Sequence, residues 1–175
     1  MTPWYFAAAL ALAIPGPALA CEHLTQHYEF CPEGTPWANG QWENAGDSAT
    51  LYVDSIGYEG FEDYRYHDPD KTIYAEMDTR NAEPAGQSQT VTLKEDRLAS
   101  ADMAFVRVIE KVSNKYIGTE IWVTMIAEDI RDPQKPGPRI LLQLRAPADT
   151  PLEQVDRLSL EYAALVWPRN ETEGQ

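Results

Sequence analysis

The chain is short of the residues that carry most enzymatic chemistry. It has two cysteines and three histidines among 175 residues. It has no glycine-rich phosphate loop: Gly57 and Gly60 stand alone, with no Lys-Ser/Thr after them, so a P-loop nucleotide site is not encoded. It has no G-x-S-x-G, and its one thin Ser/His/Asp grouping is His67 beside Asp68 and Asp70, which falls short of a nucleophile elbow. Positive charge is also scarce, with 14 Lys and Arg against 28 Asp and Glu and a net charge of −14. Such a surface repels phosphate backbones and anionic lipid, which argues against nucleic-acid and membrane-surface binding. Membrane-length apolar runs of about 20 residues are absent, so no membrane span is expected.

The first twenty residues carry no charged side chain at all. Trp4–Ile14 is apolar, Pro15-Gly16-Pro17 breaks any helix, and Ala18-Leu19-Ala20 supplies small residues at an A-x-A site. That order reads as a secretory signal peptide over 1–20, although no Lys or Arg precedes the apolar run. Cleavage leaves a single globular domain over 21–168, with a polar tail over 169–175. A periplasmic or secreted location is expected.

Both cysteines lie close to the new terminus. Three readings compete for Cys21. An even cysteine number in an exported chain favours a disulfide between Cys21 and Cys31. A lipid anchor at Cys21 is the second reading; Ala18 and Leu19 make a degenerate version of its motif. It excludes the first, because both use one sulfur. The third is a metal held by Cys21, His23 and His27, a C-x-H-x3-H pattern without a clear fourth ligand. The disulfide is the favoured reading, and no metal or other cofactor is expected.

Along the rest of the chain, His27–Pro32 alternates weakly as a first strand, and glycine and proline mark a turn over 32–36. Residues 49–54 read as a strand. Over 57–70, Tyr58, Phe61 and Tyr64 recur every third residue, as on a short helix. Residues 72–78 alternate as a strand. Thr92 to Glu95 matches a capping box, predicting a short helix to about Ala101, in competition with a short strand over 90–93. The second half is clearer. Residues 103–112, 119–128 and 139–146 read as strands, the last with Ile140, Leu142, Leu144 and Ala146 on one face and Arg139, Leu141, Gln143 and Arg145 on the other. Thr150-Pro151-Leu152-Glu153 predicts a helix capped by Thr150, carrying an apolar stripe of Leu152, Val155, Leu158, Tyr162, Leu165 and Val166 and ending at Trp167-Pro168. The fold class is α+β: a mainly antiparallel sheet covered by helices, with a C-terminal helix packed on the sheet.

Two regions, Phe30-Cys31-Pro32-Glu33-Gly34-Thr35-Pro36-Trp37 and the closing hairpin and helix from Ile121 through Leu144 to Trp167, resemble the PsbP-like and DcrB-like group of exported proteins. The resemblance implies an antiparallel sheet sandwiched by helices in small, non-enzymatic accessory or envelope proteins. The middle of the chain departs from that group, which has a longer helix there. The resemblance assigns no functional residue.

Acidic and aromatic residues crowd one stretch. Tyr58, Glu62, Asp63, Tyr64, His67, Asp68 and Asp70 are the candidate ligand-binding residues, since carboxylates with aromatic rings suit sugars, peptides or cations. An EF-hand beginning at Asp68 fails, with Ile73 where glycine is required and Thr79 where glutamate is required. For the tryptophans and some of the tyrosines, filling the core of a small domain is the favoured reading over ligand binding. The leading functional reading is an exported, acidic, non-enzymatic accessory domain of the bacterial envelope that binds another envelope protein. Its apolar patch is expected near Trp122 or on the outward face of the last strands. The alternative is a small hydrolase or ligand-binding domain using 58–70, which requires those carboxylates to converge.

Overall fold

A computed structural model of the chain describes residues 21–25, 27–44, 48–53, 58–63, 72–73, 75, 88–116, 118–132, 134 and 137–169, and of 42–44, 48–53, 58–63 and 88 the backbone alone. The leader expected over 1–20 lies outside the described residues, as does the tail beyond Arg169. The elements in order are β1 (Glu22–His23), β2 (Tyr28–Phe30), a 3-10 turn (Pro36–Asn39), β3 (Gln41–Asn44), β4 (Ser48–Val53), β5 (Tyr58–Asp63), β6 (Ser88–Ala99), β7 (Met103–Asn114), β8 (Gly118–Asp129), β9 (Arg139–Pro147), the helix α1 (Leu152–Ala163) and β10 (Val166–Pro168). Seven strands form one sheet in the order β3-β4-β5-β9-β8-β7-β6, and β1-β2-β10 form a small one. All pairings are antiparallel, so the α+β, antiparallel expectation holds.

The long hairpins β7–β8 and β8–β9 follow from their sequences. Runs of Val, Ile and Met supply side chains that pack on a pleated surface, and the turns are provided for. Asn114 Oδ1 accepts the Tyr116 N–H at 2.8 Å, and Gly118 takes φ +86°, where a side chain would be strained. In the proline-rich loop after β8, Gly137 donates its N–H to the Asp129 carbonyl at 2.9 Å. Its hydrogen faces the Asp129 Cβ so closely that an added Cβ would lie 2.6 Å away.

Both faces of the large sheet are buried. On one, Phe105, Ile109, Ile121, Val123, Met125, Ile140, Leu142 and Leu144 meet Val155, Leu158 and Tyr162 of α1 together with Tyr28, Phe30, Trp37 and Val166. On the other, Val106, Val108, Ile126 and Leu141 cluster with Ile73. The expected stripe on the last helix therefore packs as read at Val155, Leu158 and Tyr162, while Leu152 is exposed. The Tyr28 hydroxyl ties the small sheet to the β8–β9 loop, donating to the Pro138 carbonyl and accepting the Asp129 N–H at 3.1 Å.

Several local readings are corrected. The period-three aromatics over 58–64 do not mark a helix: 58–63 is strand β5, held in the sheet by β4 on one side and β9 on the other. Two ladders of backbone bonds outweigh a weak helical preference. The capping box at Thr92–Glu95 starts no helix either; it lies inside the twelve-residue strand β6. A bulge between Thr92 and Lys94 absorbs Leu93. Residues 73 and 75 are helical rather than extended, because the Thr72 hydroxyl accepts the Ala75 N–H at 3.3 Å and so competes with a strand. The N-cap of α1 is Pro151, not Thr150, and no side chain caps it. Thr150 is drawn into the preceding turn by its N–H bond to the Pro147 carbonyl at 3.1 Å. The helix stops at Ala163, and Val166 belongs to β10, paired with Phe30.

Cys21 and Cys31 are joined in a disulfide, which corrects the metal reading of Cys21, His23 and His27 by removing the thiolate. The sulfur that a lipid would modify is consumed as well. The bridge closes a loop with sequence separation 10, for which loop-closure entropy gives a stabilisation of roughly 2.5–3 kcal/mol. Urea unfolding with and without a thiol reductant is expected to differ by that amount.

Candidate functional site

Large apolar side chains are exposed at Val91, Leu93, Tyr116 and Leu152, and two more, Leu160 and Trp167, border a groove at one end of α1. Leu98, Met103 and Phe105 from the β6–β7 hairpin, Leu160, Ala163 and Ala164 from the end of α1, and Val166 and Trp167 from β10 line a groove of about 530 Å³. Local sequence explains the opening. Ala163-Ala164 are too small to fill the space between helix and hairpin. The β6–β7 turn is pulled tight beneath them, with Ser100 N–H bonded to the Met103 carbonyl at 2.8 Å and Met103 N–H to Ser100 Oγ at 3.0 Å. Two large apolar side chains at the groove are exposed, Trp167 at 48% and Leu160 at 40%. β10 alternates, sending Val166 inward and Trp167 outward. Asp102 is also among the lining residues.

The expected patch around Trp122 is not exposed apolar surface. The Trp122 indole N–H donates to Glu120 Oε2 at 2.7 Å, and the Arg145 guanidinium stacks over its ring at 4.6 Å. The strand's own neighbours thus cover it. Trp37 is a core residue, packed on the Tyr162 ring at 4.9 Å. Of the candidate ligand residues, Tyr58, Glu62 and Asp63 lie in β5, where Glu62 pairs with Leu142 and Asp63 with Leu141. Tyr64, His67, Asp68 and Asp70 lie outside the described residues.

A charged cluster joins α1 to the sheet, with Arg107 as its buried member and Lys94, Asp96 and Asp156 partly exposed. Arg107 is fully buried and all three of its nitrogens donate. Nε goes to Asp96 Oδ1 at 2.9 Å, Nη2 to Asp96 Oδ2 and Asp156 Oδ1, and Nη1 to Ser159 Oγ at 2.6 Å and the Asp156 carbonyl at 3.1 Å. Lys94 Nζ adds bonds to Asp156 at 2.7 Å and Asp96 at 3.1 Å. Two cations meet two carboxylates, and the guanidinium has no nitrogen left over for a substrate. The Arg107 guanidinium, helped by Lys94, holds the Asp96 carboxyl below the usual range, and the Lys94 ammonium does the same for Asp156. Acids held this firmly ionised are poor proton donors near neutral pH, so the cluster reads as a fastening of α1 to β6 and β7.

Sequence reasoning missed the groove. Leu160 lies off the apolar stripe of α1, and an off-stripe leucine beside Ala163-Ala164 was the available signal. In the sequence, Trp167-Pro168 marks the end of a helix and carries no signal of exposure.

Among the described residues, no helix is long and apolar enough to cross a membrane. No protein-family model matches the chain, and no curated protein matches it. Among solved structures, the chain is similar to the solution structure of cyanobacterial PsbP (CyanoP) from Synechocystis sp. PCC 6803, with a TM-score of 0.52 and 12% identity, over 82% of this chain and 88% of that one. At that identity the likeness is one of architecture: an antiparallel α+β chain with a PsbP-like fold.

Proposed function

We propose that the chain is an exported, non-enzymatic accessory domain of the bacterial envelope that binds another envelope protein through the Leu160–Trp167 groove. In this reading residues 1–20 are a cleaved leader, 21–168 the working domain and 169–175 a polar tail, and the protein is periplasmic or secreted. The disulfide supports an oxidising compartment, and the likeness to a PsbP fits an accessory role.

The observation that carries the reading is the pair of exposed side chains, Trp167 and Leu160, flanking an apolar groove on a chain of net charge −14. A tryptophan at the edge of a groove is the kind of anchor that dominates interface energetics. The acidic surface selects a partner segment with an apolar anchor flanked by Lys or Arg, since complementary charge raises association rates and disfavours acidic competitors.

Two measurements test this. Intact mass of the exported protein is expected to begin at Cys21 and to rise by two hydrogens on reduction; retention of 1–20 or an added acyl mass would overturn the export and disulfide parts. A photo-crosslinking residue at Trp167 is expected to give one discrete adduct in intact cells, where the same residue at Glu153 on the exposed side of α1 gives none. Equal labelling from both positions would remove the groove as the binding site.

A further inference from the structure

We infer that the β1–β2 ribbon becomes a zinc site when its disulfide is opened by a dithiol. The register makes the argument. Glu22 pairs with Phe30 and His23 with Glu29, so the next pair outward is Cys21 with Cys31, the bonded one. Paired residues share a face of a ribbon, and so do residues two apart on one strand. Tyr28 and Phe30 turn inward to the core. The opposite face therefore carries His23 of β1 and Glu29 of β2, with Cys21 just before β1 and Cys31 just after β2: C-x-H facing E-x-C. The two sulfurs and the Glu29 carboxylate already lie within 4.8 Å of one another, each half-buried.

A zinc ion with ligand bonds of about 2.0–2.3 Å sets neighbouring donor atoms about 3.5 Å apart, a modest contraction of the 4.8 Å within which the two sulfurs and the Glu29 carboxylate lie; His23, paired with Glu29 in the register, is placed on the same face to supply the fourth ligand. Two thiolates, an imidazole and a carboxylate are a complete tetrahedral donor set for Zn²⁺. The ribbon also has means to persist without the bridge. Leu24 and Thr25 donate their N–H groups to the Tyr28 carbonyl at 3.1 and 3.2 Å, and Thr25 Oγ1 accepts the N–H groups of His27 and Tyr28, both at 3.1 Å. β2 is paired on its other side with β10.

The chemistry balances. A dithiol gives two electrons and two protons to the Cys21–Cys31 bond and leaves as a cyclic disulfide. Zn²⁺ then displaces the two thiol protons to solvent and binds the two thiolates, with His23 neutral and Glu29 ionised. The oxidised protein has no thiolate to offer, so the site exists only in the reduced state.

The test uses the full exported chain, reduced with a dithiol, freed of it under anaerobic conditions and titrated with Co²⁺ as a spectroscopic stand-in for Zn²⁺. The expected result is one equivalent bound, with thiolate-to-cobalt charge transfer and the visible bands of tetrahedral Co²⁺, both bleached by added Zn²⁺. The oxidised chain and Cys31→Ser show neither. Glu29→Gln and His23→Ala, each checked for unchanged far-ultraviolet circular dichroism, weaken affinity by at least the roughly tenfold that losing even an outer-shell partner costs. Zn²⁺ raises the melting temperature of the reduced chain and leaves that of the oxidised chain where it was. Failure of the reduced chain to take up Co²⁺, or an affinity unchanged by either substitution, overturns the site.

Discussion

Replacing Arg107 by Ala is expected to lower the unfolding free energy by about 3–5 kcal/mol, the cost of removing one partner from a buried ion pair. The guanidinium is fully buried between the sheet and α1 and spends every nitrogen on Asp96, Asp156 and Ser159. Its loss leaves Asp96 and Asp156 facing each other with only Lys94 between them. Arg107→Met restores volume but not charge, so it is expected to recover less than half of the loss in urea unfolding; full recovery would show that packing alone accounts for it. Asp96→Asn, which keeps shape and removes one charge, should cost less, about 1.5–3 kcal/mol for hydrogen bonds to a charged group.

The same cluster sets the acid limit. Arg107 depresses Asp96, and Lys94 depresses Asp156, below the usual carboxylate range. A group whose folded pKa is depressed contributes stability above its unfolded pKa, about 4, and loses it as pH falls through the folded value. Melting temperature is therefore expected to hold from neutral pH down to about 4 as far as these two acids are concerned, and then to fall. In Arg107→Met the acid limb should be shallower, because Asp96 is then held low by Lys94 alone.

The second large effect is at Trp37, where substitution by Ala is expected to cost about 3–5 kcal/mol through lost burial and the cavity left behind. Trp37 is buried in the 3-10 turn. Its ring lies 4.9 Å from that of Tyr162, which in turn lies 5.4 Å from Phe30. These three rings join the N-terminal segment, the small sheet and α1, so the cavity opens where three elements meet and none can close it alone. Trp37→Phe should recover most of the loss. Denaturant midpoints at constant slope would check both, against a total stability of about 5–15 kcal/mol for a domain of this kind. A loss below about 1 kcal/mol would mean that the site collapses around the smaller side chain.

The parts of the fold visible in advance are those whose signal is local and repeated. Ile140, Leu142, Leu144 and Ala146 alternate over enough residues to assign strand and face together, and all four are buried on one side. The pairing of Cys21 with Cys31 was readable because a chain with two cysteines has a single pairing within itself. The candidate site was not readable, because its lining comes from a hairpin, a helix end and a three-residue strand, distant in sequence and joined only by packing.

The errors have the same origin. Tyr58, Phe61 and Tyr64 fit a helical period, but the flanking strands β4 and β9 decide the conformation, and neither is part of that window. At β6 the effect is sharper. Continuous pairing beyond Thr92–Glu110 would set Glu95 opposite Arg107; the bulge at Leu93 shifts the register so that Asp96 stands there instead. A single extra residue thus selects which acid meets the buried guanidinium. Val166–Pro168 reads as the frayed end of a helix until Phe30 supplies its ladder.

Residue chemistry and short-range periodicity were enough for the acidic surface, the disulfide, the three late strands and the existence of a last helix, since each depends on charge count, composition or a pattern contained in one segment. Long-range pairing decided the fate of 58–63 and 88–99, the partner of Arg107 and the exposure of Trp167. Backbone groups there find their hydrogen-bond partners from elsewhere in the chain, and the free energy of those bonds exceeds the few tenths of a kcal/mol per residue, roughly, by which local preference differs.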